Sequence, residues 1–127
     1  MTRAIQIEPR RELIVTLDEL FGALTQLIHE GAVTRGFSQL EPQSGAFGAR
    51  SAHWRRRTEE LVLGWDAKEQ WFNFIFRPAP DHPPALEWTG TLSDRYTGRE
   101  VSDSDAQQLR DGLTGVLAAL WTQRPSR

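Results

Sequence analysis

The sequence predicts an α+β fold: an antiparallel β-meander of about four to five strands, packed on one face by two amphipathic helices. Three observations carry this. Between Leu61 and Leu92, large apolar side chains fall at every second position in three separate runs, Leu61/Leu63/Trp65, Phe72/Phe74/Phe76 and Leu86/Trp88/Leu92. That spacing sends each set to one face of a strand. On either side of this region, leucines recur at helical spacing instead. A sheet with one apolar face and two helices with one apolar stripe each are jointly satisfied by a two-layer sandwich. With 127 residues, 39% of them hydrophobic and 25% charged, the chain reads as one α+β domain over 1–127 whose core needs no metal or disulfide.

Taken in order, the first strong element is a helix. Leu13, Leu17, Leu20, Leu24 and Leu27 are four, three, four and three positions apart, with Ile14, Phe21 and Ile28 one step on. It starts either near Arg10 or at Thr16, where Thr16-Leu17-Asp18-Glu19 has the form of a capping box. The β-branched run Ile14-Val15-Thr16 favours the second start, with Glu12 to Val15 as a short strand paired to Ala4–Glu8. Gly31 is the expected stop. Residues 31–49, with Gly31, Gly36, Pro42, Gly45 and Gly48, read as a long loop containing one short turn. Loops of that length in a compact domain are often functional.

Ala49 to Arg57 begins the sheet, because Ala52 and Trp54 alternate with Ser51, His53 and Arg55. The polar Asp66-Ala67-Lys68-Glu69 suits a hairpin connection. Four prolines between Pro78 and Pro84 make Arg77 to Pro84 a stiff loop, since proline cannot donate to a ladder. Tyr96 to Val101 leads to the second helix, capped by Ser102 or Ser104 with Asp103 and Asp105 at its positive end. Its stripe is Leu109, Leu113, Val116, Leu117, Leu120 and Trp121, interrupted by Gly112 and Gly115, which suit close packing on the sheet. Gln123 to Arg127 is expected to fray.

Composition narrows the function. The chain has no cysteine, which excludes disulfides, thiolate metal sites and cysteine nucleophiles. No stretch approaches the roughly 20 apolar residues of a membrane span, and Met1 to Glu8 lacks the pattern of a secretory signal. A cytoplasmic location is therefore expected. Arginine outnumbers lysine fourteen to one (Lys68), a bias that a GC-rich genome explains more simply than selection for anion binding. A formal charge of −2 argues against a general nucleic-acid binder.

Candidate sites follow from local clusters. His53-Trp54-Arg55-Arg56-Arg57 sets guanidinium groups beside an aromatic ring, the ingredients of a single-strand groove. Trp54, Arg55 and Arg57 are accordingly the candidates for an alternative, nucleic-acid-binding reading, with Glu59 and Glu60 placed to neutralise them. His29, His53 and His82 lie on separate elements without metal-ligand spacing, and His29 suits a helix C-terminus as a cation. Neither GxSxG, a P-loop nor GxGxxG is present, so no catalytic residue, metal ligand or cofactor is assigned and a non-enzyme is expected.

The favoured reading rests on the face opposite the Phe stripe. Trp71, Asn73 and Ile75 fall there, with Asp66 and Glu69 at the adjacent turn. Exposed aromatic area of this kind marks partner surfaces. Trp71, Asn73, Asp66 and Glu69 are thus the expected protein-binding residues, and a homodimer through the sheet would cover the same face. By analogy of size and class alone, such a module is immunity-protein-like or effector-chaperone-like.

Overall fold

The computed structural model describes residues 14–92 and 100–123. Its order is β1 (Ile14–Thr16), α1 (Leu17–Thr34), β2 (Ser38–Gln39), β3 (Gln43–Ser44), β4 (Arg50–Arg56), β5 (Glu59–Asp66), β6 (Trp71–Arg77), β7 (Leu86–Thr91), β8 (Glu100–Ser102) and α2 (Asp103–Gln123). β2, β4, β5, β6 and β7 form an antiparallel meander in that spatial order, and β3 also pairs with β4. The α+β sandwich is as the alternation predicts. Helix residues Leu20, Leu24, Ile28, Leu109, Leu113 and Leu120 share one core with Trp54, Leu61, Leu63, Phe72, Phe74 and Phe76.

The helix starts follow their capping residues. Thr16 ends β1 and caps α1: its hydroxyl accepts from Glu19 N at 3.0 Å, and the Glu19 carboxylate accepts from Thr16 N at 2.9 Å. This is the reciprocal box, so the helix does not begin near Arg10. Ser102 ends β8 and caps α2, its hydroxyl accepting from Asp105 N at 3.2 Å. β1 and β8 pair with each other, Val15 opposite Val101, forming a ribbon separate from the main sheet. The expected partner strand Ala4–Glu8 lies outside the described residues, as do Arg124 to Arg127.

Two expectations are corrected. Gly31 does not end α1, which continues to Thr34. A Cβ at Gly31 would stand 2.4 Å from Trp121 Nε1, so this glycine serves the close approach of α2. The stop is Gly36, at φ 89°, where Gly36 N donates to Val33 O and Phe37 N to Ala32 O, the Schellman pattern. Nor is 31–49 a simple loop. After the helix it supplies β2 and β3, an interrupted strand along the edge of β4. Of the two glycines in α2, Gly112 packs under Trp88, whose Nε1 lies 3.1 Å from its ideal Cβ position, while Gly115 faces open space.

Candidate functional site

Strand alternation gives the sheet a second face, and the register places its side chains in rows across β4 to β7. One row is Ser51, Gly64, Asn73 and Thr89; the next is His53, Val62, Ile75 and Glu87. Asp66, Trp71 and Thr91 lie to one side of these, and Arg55, Glu60 and Arg77 to the other. Both helices pack on the opposite face, and Val62, Trp71, Asn73 and Ile75 are each half-buried. Gly64 makes a dip at the centre, into which the Asn73 amide leans: its Oδ1 lies 2.8 Å from the position a Gly64 Cβ would take.

The charged row is paired from within. Arg55 donates to Glu60 at 3.0 Å and Arg77 to the other Glu60 oxygen at 3.3 Å. The hydrogen bond from Arg55 is the main cause holding the Glu60 carboxyl below its ordinary value; burial acts the other way, and Arg77 adds to the lowering. At the other end of the face, Asp66 closes the β5–β6 turn. One of its oxygens accepts from Lys68 N at 3.0 Å and Glu69 N at 2.9 Å.

Of the residues expected to bind protein, Trp71 and Asn73 are therefore neighbours on one open face. Asp66 sits opposite Trp71 in register but uses its carboxylate in the turn, and Glu69 is exposed at the turn itself. The alternative grouping of Trp54, Arg55 and Arg57 is not brought together. Trp54 is fully buried on the inner face, donating its indole N–H to His29 Nδ1 at 3.1 Å. It has no face to offer a base. Arg55 engages Glu60, while Arg57 occupies the β4–β5 turn with φ 56°. The neighbouring Arg56 is held by Glu59, by Arg35 O at 2.6 Å and over the Phe37 ring at 4.7 Å.

The histidines also find local roles. His29 accepts the Trp54 N–H in mid-helix rather than serving the helix end as a cation, because α1 runs past it to Thr34. His53 Nε2 lies 2.8 Å from Ser51 Oγ. A serine–imidazole pair needs a third group to orient the ring for nucleophilic work. Glu87, the carboxylate of the same row, is three strands away, about 14 Å at ordinary strand spacing. Among the described residues no cluster of three potential ligands could hold a metal ion, and no helix is long and apolar enough to cross a membrane.

Sequence reasoning passed over Phe47. It lies in the 3₁₀ turn Ala46–Gly48 with φ 57° and is 95% exposed. The signal was there: an aromatic close between Gly45 and Gly48, with no periodic partner, belongs to no buried stripe. No protein-family model matches the chain, and no curated protein or solved structure does so at a significant level.

Proposed function

We propose that this chain is a non-enzymatic protein-binding module, immunity-protein-like or effector-chaperone-like, that receives its partner on the outer face of the sheet. The observation that carries the reading is the open face itself: Trp71, Val62 and Ile75 surround the Gly64–Asn73 dip, and the helices lie on the other side. A β-sheet face left half-exposed with an aromatic anchor and a polar amide at its centre suits recognition of another protein surface. The face is also polarised. Arg55 and Arg77 outnumber Glu60 at one end, while Asp66 and Glu69 outnumber Lys68 at the other. A partner presenting basic groups to the Asp66 end is oriented on approach.

Capture from native lysate tests this, run with and without nuclease, using the parent and a Trp71→Ala/Ile75→Asp variant of matched thermal stability. A near-stoichiometric protein retained by the parent through nuclease treatment and lost by the variant is the expected result. Equal retention by both would remove the outer face as the site. Material lost on nuclease treatment would move the case to the arginines of the β4–β5 turn.

A further inference from the structure

Phe47 is unexplained by the fold that carries it. A phenyl ring left almost wholly in water contributes nothing to the core, and its backbone lies in the left-handed region that disfavours side chains. Glycines stand close on both sides, so a glycine at 47 would suit the turn better. The turn is nonetheless well closed: Gly45 N donates to Ala49 O at 2.7 Å, and Ala49 N to Ala46 O at 3.0 Å. Rigid display of an apolar side chain is what an anchor residue requires, and a strained conformation kept at an exposed site points towards use.

A receptor for such a ring lies on the same chain. Beside the turn is a hollow of about 380 Å³, lined by Phe21 of α1, Pro42, Gly45, Gly48 and Ala49 together with polar residues of β3 and β4. A cavity of roughly 150 Å³ is enough for benzene, so the hollow accepts a phenyl group with room for its stem. Its charges cancel, since Arg50 is ion-paired with Asp18 and lies 5.9 Å from the Phe21 ring centroid. A neutral wall with a guanidinium near one aromatic ring can take a second ring without stranding a charge. Phe47 is not among the residues that line the hollow, although Gly45 and Gly48 on either side of it are, and its ring is 95% exposed.

We infer that the occupant is a second copy of this chain, each Phe47 entering the hollow of the other about a two-fold axis beside the turn. A projection next to a matching recess on one surface is the self-complementary arrangement that closes at two copies. The area bounds the kind of interface. Residues 38–48 are all exposed, yet a stable interface takes roughly 20 to 30 residues a side. Eleven residues with the start of α1 supply about half of that, the size of a weak, concentration-dependent pairing. This surface is distinct from the outer sheet face: Trp71→Ala leaves the dimer intact, and Phe47→Ala leaves partner capture by the outer face intact.

Sedimentation equilibrium of the purified chain from about 5 to 500 µM tests the inference. The parent is expected to pass from monomer to dimer in that range. Phe47→Ala removes two anchors per dimer and raises the dissociation constant at least about a hundredfold, with no loss of thermal stability. Ala49→Trp, which fills the hollow, weakens it from the receiving side. A photo-crosslinking phenylalanine analogue at position 47, in a mixture of light and heavy isotope-labelled chains, should join Phe21, Pro42 or Ala49 of the other copy. A parent that stays monomeric throughout, or a Phe47→Ala chain that dimerises as tightly as the parent, overturns the inference.

Discussion

Replacing Gly90 by alanine measures how closely α2 sits on β7. Gly90 is buried, and a Cβ there would lie 2.4 Å from Leu109 Cδ2 and 2.7 Å from two carbons of the Trp88 ring. Carbon atoms rest at about 3.5–4.0 Å, so the overlap with Leu109 exceeds about 1 Å. Leu109 is 3% exposed, and close-packed interiors leave few voids for a side chain to turn into. Either α2 lifts from the sheet or two large side chains leave their rotamers, and overpacking of this kind costs about 2–3 kcal/mol. Relief of the glycine's own entropy in a strand returns roughly 0.5–1 kcal/mol. The net expectation is a loss of about 1–2.5 kcal/mol. Gly115→Ala is the control: nothing lies within 4 Å of its Cβ position, so the same chemical change should stabilise by up to about 1 kcal/mol. Urea denaturation with a common slope reads both. If Gly90→Ala is as stable as the parent, the packing of α2 over Trp88 and Gly90 is not as described.

Three further outcomes are expected. Trp54→Phe should cost about 1–3 kcal/mol by leaving His29 Nδ1 without its donor, and a double-mutant cycle with His29→Leu should show coupling; strictly additive losses would mean that the bond is not formed. Arg57→Gly should gain up to about 1 kcal/mol, raising the melting temperature by roughly 3–5 °C, because only the left-handed backbone is relieved; no gain would place the strain elsewhere. For Glu60, the folded carboxyl holds its charge to lower pH than the unfolded one, so its stabilising contribution is full at neutral pH. It is lost as pH falls through the folded value, below the usual carboxylate range of about 4. The gap in urea midpoint between the parent and Glu60→Gln should therefore narrow on acidification, and a gap independent of pH would contradict the ion triad.

What the sequence made legible is what alternation and capping determine locally. Leu61 to Phe76 identifies its inner face because each step moves a side chain across the sheet, and Thr16 to Glu19 carries both halves of its capping box. The same alternation places Trp54 among the inward residues, although its proximity to three arginines suggested an exposed ring. Gly31 was misleading because a glycine suits both a helix stop and a helix–helix contact, and only the position of Trp121 distinguishes them. The strands at Ser38–Gln39 and Gln43–Ser44 are too short to show any period; they exist because β4 offers an edge to pair with. The dip at Gly64 depends on Asn73 of the next strand, so no local pattern hinted at it, whereas Phe47 between its glycines stood outside every periodic stripe.

The ribbon of β1 and β8 has a consequence for how the molecule is assembled. The meander is built from adjacent strands, with short hairpins at two of its turns, whereas Val15 meets Val101 only when everything between them is enclosed. Closing so long a segment carries an entropic cost that near contacts do not, so this pairing is expected to form late. Thr16 and Ser102 are both the last residues of that ribbon and the caps of the two helices. A single late event therefore ties together two helix starts that are each marked by a local cap, and amide hydrogens at the two starts should exchange together whenever the ribbon opens.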